Sequence, residues 1–461
     1  MREMDQSVQI PPKLLSSIFL AKEEIDKASN IRVISHYDAD GISSAAILCA
    51  LLNRAGKTFQ ISMIKGLTDE IVADSDDADL LILSDMGSSN LDALEKLNCR
   101  VVVLDHHKPL RDSEKVVHVN PHLSDIDGMT SACGASVCML LAVNTDEKNW
   151  DLLPIAFGGI AGDRQTIKGL SGVNIWLFEE GLKRGIVEAI PGSLVPSGNL
   201  VDAIASSTEP YLIGLSGNRD AARTFLLDAG IPINSDYASL NDEMKMKLSS
   251  LIALKLISQG TPLETMEEVV RDRYYFKSVN MEAEMMSSLL NACGRTGQEG
   301  MGVALALGDQ SAMDSAMELR NEYGSELISS LNELSKSGIT KLSNIQYFYN
   351  TKSGLSGILC GITMQYFGDA DKATIALSES DDKTKMKISS RGTFPLLDLG
   401  VDLAEALRET SALVNGFGGG HRIAAGATIP IGEDKKFLEL LDAKIGEQKK
   451  AKSEEPTSTS Q

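Results

Sequence analysis

The sequence predicts an α/β protein: an N-terminal parallel-sheet domain, a mostly helical inserted or linking region, and a smaller second α/β domain. Three observations carry that expectation. Through the first 165 residues, short apolar runs alternate with amphipathic stretches, the pattern of repeated strand and helix units. From about residue 186 to 341 the periodicity is mostly helical. From about 342 to 431 strand-like and helix-like runs alternate again. The division is therefore 1–185, 186–340, 341–447 and a tail, 448–461, whose composition cannot form a core and reads as disordered.

In the first domain, residues 31–35, 80–84, 101–104 and 116–119 are apolar runs of strand length, while 43–53, 131–143 and 153–160 read as helices. Helical runs follow at 226–230, 244–260 and 263–270. A further stretch, Ser288-Leu-Leu-Asn-Ala-Cys-Gly-Arg-Thr-Gly297, reads as a helix end stopped by Gly294 and Gly297, with Arg295 beside it as a candidate phosphate contact. In the second α/β domain 345–349, 373–378 and 385–390 read as strands, 356–365 and 399–407 as helices. One more amphipathic helix follows Gly432.

Composition narrows the function classes. The net charge of −20, from 44 basic and 64 acidic residues, disfavours a protein that coats long polyanions with a broad basic face. It leaves room for a nucleic-acid enzyme in which metal ions and a few placed arginines supply positive potential locally. The six cysteines form no C-x-x-C pair and have mostly apolar neighbours, so they read as buried thiols. With no apolar run of membrane-spanning length and no basic-then-apolar start, the expectation is a cytoplasmic protein with no membrane partner.

Three of the predicted strands end in chemistry: His36-Tyr-Asp-Ala-Asp-Gly41, then Asp85, then Asp105-His-His107. Ligand sites in open parallel sheets lie beyond the carboxyl ends of the strands, so these sets should converge there. Of the six histidines, His36, His106, His107, His118 and His122 fall within the first 122 residues, and His421 ends the run Gly416-Phe-Gly-Gly-Gly-His421. Carboxylates two residues apart repel unless a cation lies between them, and mixed carboxylate and imidazole donors suit a divalent transition ion. The donors exceed what one tetrahedral ion needs, which points to two ions bridged by an aspartate, roughly 3.5–4 Å apart in such centres. Manganese (Mn2+) is the expected ion, with Mg2+ or Co2+ as substitutes. Singly, each feature has a plainer explanation: an aspartate after a strand, such as Asp85 or Asp163, is often a helix N-cap, and a His-His pair is often just exposed. Three such strand ends in one chain outweigh it.

These residues resemble a known superfamily. His36-Tyr-Asp-Ala-Asp-Gly41, Ser84-Asp85, Asp105-His106-His107 and Gly158-Gly-Ile-Ala-Gly-Asp163 look like the four ordered motifs of the DHH phosphoesterases, and Gly418-Gly-Gly-His421 resembles the signature of their associated C-terminal domain. The resemblance implies that His36, Asp38 and Asp85 hold one metal and that Asp40, Asp85, His106 and Asp163 hold the other, with Asp85 as the bridge. It implies that His107 contacts the scissile phosphate or protonates the leaving oxygen and that Asp105 orients the neighbouring imidazole. It further implies that Gly418, Gly419, Gly420 and His421 hold a nucleotide phosphate or strand end, helped by Arg391 in Ile388-Ser-Ser-Arg391. His122 is a candidate for touching the site, and His118 reads as a satisfied core residue.

The span between the two domains resembles that of archaeal RecJ-like nucleases, the GINS-associated nuclease type, as does Leu289-Leu-Asn-Ala-Cys-Gly-Arg295. The implied function is a two-metal, single-strand-specific exonuclease acting on DNA and/or RNA in replication and repair, with the GINS replication complex as a candidate partner. Tyr37 and Phe417 are candidates for stacking on bases. Two alternatives stand beside it: an enzyme confined to very short oligonucleotides or nucleoside bisphosphates, and a scaffold of the replicative helicase.

Overall fold

The computed structural model describes residues 9–195, 198–380 and 383–454. Near-continuous apolar runs build the first sheet, because its strands are covered on both faces. It has five parallel strands: β1 (Asn30–His36), β2 (Thr58–Ile64), β3 (Leu80–Ser84), β4 (Arg100–Leu104) and β5 (Val117–Val119). Their spatial order is β2-β1-β3-β4-β5. In β3 every residue is buried, and β1 pairs with it in register, Ile31 opposite Leu80 and Ser35 opposite Ser84. The chain order reverses between β1 and β3, the place where doubly wound sheets open a crevice at their carboxyl ends. His36 and Asp85 follow from those two strands.

The strand β2 was not anticipated by the sequence reading. It lies at the sheet edge, and its mixed run Thr-Phe-Gln-Ile-Ser-Met-Ile has no fully buried residue. The helix expected at 43–53 begins earlier, as Ala39–Arg54, because Asp38 caps it. That helix and the helices Gly134–Thr145 and Leu153–Gly162 are buried through most of their length and share one core with the sheet.

The chain divides into two compact units, and the division cuts through the region expected to be a single helical insert. The first unit holds the residues up to Gly192 together with Arg271–Glu322; the second holds Ser193–Val270 and the residues from Tyr323 onward. Helical periodicity shows that a helix has an apolar face but not which core will receive it. The first unit takes the small antiparallel sheet of β6 (Glu188–Ile190), β7 (Arg273–Phe276) and β8 (Met281–Glu282). It also takes the helix Ala283–Arg295, whose Met286, Leu289, Leu290 and Cys293 join the first core. Gly294 lies inside this helix rather than stopping it; the left-handed residue beyond the end is Gly297, at φ 73°.

In the second unit the helices Arg219–Asp228, Asp242–Ser258 and Leu263–Val270 share a core with Leu359, Ile362 and Tyr366 of the helix Ser356–Tyr366. Its six-stranded mixed sheet consists of β9 (Thr340–Lys341), β10 (Ile345–Tyr349), β11 (Ala373–Glu379), β12 (Lys385–Arg391), β13 (Phe417–His421) and β14 (Ala424–Pro430), in the order β13-β14-β12-β11-β10-β9. Two expectations are corrected here. The helix read at 399–407 begins only at Leu403: it is Leu403–Ala412, started by the Asp402 cap and separated from a preceding short helix, Phe394–Asp398, at Gly400 with φ 89°. Residues 448–454, read as tail, continue the helix Asp434–Glu454. The lysine-rich run there consists of good helix formers, so composition that cannot build a core can still extend a helix. The rest of that tail lies outside the described residues. Among the described residues no helix is long and apolar enough to cross a membrane.

Candidate metal centre

At the end of β1 the chain turns through Tyr37 and Asp38 directly into the helix Ala39–Arg54. One oxygen of Asp38 accepts the Gly41 N–H at 3.1 Å, and the other faces His36 Nδ1 at 3.0 Å. Position 41 has to be glycine, since a Cβ there would sit 2.2 Å from the His36 carbonyl oxygen. Asp40, one residue into the helix, is buried and accepts the Gly134 and Ala135 N–H groups at 2.7 and 2.8 Å. It therefore caps the positive end of the helix Gly134–Thr145.

Asp85 follows β3 with a left-handed backbone at φ 56°, a conformation that aspartate tolerates better than most residues but that is still strained. Its two oxygens face two imidazoles, His106 Nε2 at 3.2 Å and His36 Nδ1 at 3.4 Å. His106 Nε2 also lies 3.3 Å from Asp163 and 3.8 Å from Asp40. Asp163 is brought there as the C-cap of the helix Leu153–Gly162. All six residues expected to ligate metal thus converge. Ligand atoms of His36, Asp38 and Asp85 lie within 4.8 Å of one another, as do those of Asp40, His106 and Asp163, and those of Asp85, Asp105, His106 and His107.

The chemistry of this donor set fits divalent cations. Burial first, then the charges of Asp85 and Asp163, pushes the Asp40 carboxyl far above the usual carboxylate range. Burial likewise pushes Asp163 up to about 7, against the pull of His106 and with the repulsion of Asp85 and Asp38. His36 is raised to about 11, because its bonds to Asp38 and Asp85 outweigh the opposing effect of burial. Asp85 is held well below the usual range in spite of burial, by hydrogen bonds from His106 and His36. Protons are retained where a positive charge is wanted, which is how a metal-ligand set behaves when protons are the cations at hand.

A second layer aims the imidazoles. His106 Nδ1 lies 2.7 Å from the Gly128 carbonyl, which can only accept, so this nitrogen carries the proton and Nε2 is left to face the carboxylates. Gln165 Nε2 donates to the same carbonyl at 2.9 Å, and His122 Nε2 accepts the Gly128 N–H at 3.3 Å. A Cβ at Gly128 would meet the His106 carbonyl at 1.9 Å. Asp105 is fully buried and binds His107 Nδ1 at 2.7 Å, along with the backbone N–H groups of His106, His107 and Ser88. The imidazole that Asp105 orients is therefore that of His107; His106 is oriented by Gly128. His122 reaches the site at one remove, and His118 bonds Ser88 Oγ at 2.9 Å, outside the ligand sets.

The sequence reading missed the glycines that make room for Asp40. A Cβ at Gly134 would lie 2.7 Å from the Asp85 Cβ, and one at Gly159 would lie 2.6 Å from Asp40 Oδ1. For Gly159 the available signal was the run Gly158-Gly-Ile-Ala-Gly-Asp163, whose glycines went unexplained; for Gly134 no local signal exists. The expected substrate-binding residues belong to the second unit. Arg391 ends β12 opposite Ala424 of β14, and His421 ends β13 opposite the same Ala424, so one rung of the sheet carries all three. Gly418, Gly419 and Gly420 form the edge strand itself, and Phe417 at its start is 67% exposed.

Sheet order, strand-end ligands and glycine-rich edge together define a class of protein that comparison with known sequences names. Residues 30–160 match the DHH family, N-terminal domain, and residues 344–447 match the DHHA1 domain. The chain belongs to the DHH family of phosphoesterases. It is 32% identical over 429 residues to an uncharacterised protein of Methanocaldococcus jannaschii, covering 91% of this chain and 94% of that one. The single-stranded-DNA-specific exonuclease RecJ of Thermus thermophilus is 30% identical over 177 residues, 36% of this chain but 26% of that protein. A crystal structure of that RecJ with Mn2+ has a TM-score of 0.60 at 20% identity, covering 96% of this chain and 56% of that one. CDC45 from Entamoeba histolytica gives a TM-score of 0.65 at 14% identity, covering 94% and 99%. At these identities the likeness to solved structures is one of fold.

Proposed function

We propose that this protein is a Mn2+-dependent exonuclease that removes nucleotides from the end of single-stranded DNA and/or RNA. The observation that carries the reading is the placement of Asp85 between His36 and His106 at the sheet's switch point, with Asp38, Asp40 and Asp163 around it. His36, Asp38 and Asp85 would hold one ion, and Asp40, Asp85, His106 and Asp163 the other. Two such ions, when bound, polarise a phosphoryl oxygen and acidify a water. The protein's own part is to position and to move protons. Asp105 accepts from His107 Nδ1 and so orients the ring that would contact the scissile phosphate or serve the leaving oxygen. Arg391, Gly418, Gly419, Gly420 and His421 would hold a phosphate of the strand, the arginine through a forked contact and the glycines through backbone N–H groups.

The relation to RecJ supports a polynucleotide substrate over an inorganic one. A net charge of −20 weakens intrinsic affinity for a long strand, which favours a partner-assisted role in replication or repair, with GINS as the candidate partner. Digestion of 5′- and 3′-labelled strands of graded length, DNA and RNA, with Mn2+ tests the proposal. Stepwise shortening of long strands is expected; activity that collapses beyond a few nucleotides would replace it with an enzyme of very short oligonucleotides.

A further inference from the structure

The helix Ala283–Arg295 lies far along the chain from the ligand motifs, yet it touches the segments that carry them. Asn291 Oδ1 accepts the Ala39 N–H at 3.2 Å. Ala39 stands between Asp38 and Asp40, and its amide is among the first-turn donors that a helix cannot satisfy internally. The other turn-closing bond, from Gly41 N–H, is made by Asp38 itself. One turn further along, Gly294 packs so closely on Tyr37 that a Cβ would meet the Tyr37 carbonyl oxygen at 1.9 Å. Asn291 Nδ2 in turn reaches Ser287 Oγ at 3.4 Å, and a Cβ at Gly162, beside Asp163, would lie 3.5 Å from that hydroxyl. At the helix start, Glu284 pairs at 3.4 Å with Arg271, which donates at 3.1 Å to Thr166, three residues past Asp163.

We propose that Asn291 is a positioning residue for the metal centre, fixing the 37–40 turn so that Asp38 and Asp40 are presented to their ions, with Gly294 as the close contact that allows it. The inference rests on the reading of His36, Asp38 and Asp40 as metal ligands. The helix reaches the turn on one side and the Asp163 segment on the other, so both ligand-bearing segments are referred to one rigid element. Among the described residues no acceptor closer in sequence meets the Ala39 N–H: Asp38 Oδ1 is committed to Gly41, and its other oxygen faces His36. Losing Asn291 leaves the turn free to rotate its peptide and carry Asp38 with it. Outer groups that orient ligands typically control metal affinity by roughly 10- to 100-fold.

The test uses the full chain and three variants: Asn291→Ala, Asn291→Asp, which keeps the acceptor oxygen, and Gly294→Ala. Mn2+ affinity is read by titration calorimetry, exchange of the Ala39 amide by mass-resolved hydrogen exchange in EDTA, and melting temperature in EDTA. Asn291→Ala should weaken Mn2+ binding about 10- to 100-fold and speed Ala39 exchange at least about tenfold, with little change in the metal-free melt. Asn291→Asp should recover most of both. Unchanged Mn2+ affinity, or retained slow exchange at Ala39, in Asn291→Ala overturns the proposal. If the unaltered chain takes up no Mn2+, the metal reading fails, and Ala39 exchange still decides whether Asn291 fixes the turn. Should Gly294→Ala not fold, the asparagine pair carries the test alone.

Discussion

Replacing Gly134 by alanine perturbs the candidate centre without removing any proposed ligand. The new Cβ would stand 2.7 Å from Asp85 Cβ, 2.9 Å from Asp40 Oδ2 and 3.0 Å from Ser44 Oγ. The Ser44 hydroxyl sits on a single rotatable bond and can swing away at little cost. Asp85 cannot yield as easily, because its N–H is bonded to the Leu104 carbonyl at 2.9 Å and its backbone is already left-handed. Reaching the 3.4 Å at which ordinary contact begins therefore asks the helix Gly134–Thr145 or Asp40 to move by about 0.7 Å. Either motion stretches the bonds that hold Asp40 to the Gly134 and Ala135 N–H groups, 2.7 and 2.8 Å long. Overpacking of this kind costs about 1–3 kcal/mol, and alanine returns up to ~1 kcal/mol by its helix preference over glycine. The fold should survive with a small loss of stability. Catalysis is less forgiving, since a misplacement near 1 Å can cost about 100-fold. Hydrolysis of a 5′-labelled single strand in Mn2+, beside a thermal melt, is the assay. Gly361→Ala, in a helix where nothing lies within 4 Å of the added carbon, is the control and should leave activity unchanged. Full activity and unchanged Mn2+ affinity in Gly134→Ala would refute the claim that Asp40 needs this close approach.

Asp85→Ala should abolish metal-dependent hydrolysis with the fold retained, read as activity across a Mn2+ titration together with circular dichroism; retained hydrolysis would remove the two-ion centre. Arg391→Ala and His421→Ala should raise KM with little change in kcat, because their proposed contact is to phosphate away from the reacting bond; an equal fall in kcat at constant KM would count against it. Asp163 is raised to about 7 from an ordinary 3.8, so the folded, metal-free chain binds more protons than the unfolded one between those values. Its stabilising effect is present at low pH and is lost as pH rises through 7. In EDTA the melting temperature should fall from pH 5 to 8, and in excess Mn2+ it should rise, because the ion then competes with the proton. A metal-free melt that climbs over this range would contradict the buried-carboxylate account.

The residues most legible in the sequence were those where a local pattern meets a physical requirement. Strands β1, β3 and β4 showed as apolar runs, and the candidate site residues showed because they follow such runs: His36 to Asp40, Asp85, and Asp105 to His107. The requirements that stayed hidden are tertiary. No local pattern tells why Gly128, Gly134 and Gly159 must be glycine; the approach of His106, Asp85 and Asp40 explains them. The glycine run before His421 suggested backbone open to a phosphate, yet it forms β13, although glycine is depleted in strands. Its edge position and the tight approach of Gly418 to the Leu407 carbonyl, 2.9 Å from a would-be Cβ, make the small residue necessary there. Asn291 was legible as part of a motif but not in its role, since no periodicity reveals a bond between residues 252 positions apart.

The electrostatics of the first unit also bear on the order in which ligands bind. Asp38, Asp40, Asp85 and Asp163 gather around two imidazoles, in a chain that carries −20 overall. Without a cation, the protons held by Asp40, Asp163 and His36 bring that cluster only toward neutrality, so it offers an approaching phosphate none of the positive charge that divalent ions would supply. The phosphate contacts proposed in the second unit, Arg391 and His421, need no ion to be made. In EDTA, then, single-strand binding should be weak and should depend mainly on Arg391 and His421; in a non-hydrolysing Ca2+ buffer it should strengthen and become sensitive to Asp85→Ala as well. Binding measured by fluorescence anisotropy in the two buffers separates the contributions. Equal affinity with and without the divalent ion would mean that the acidic cluster does not face the strand at all.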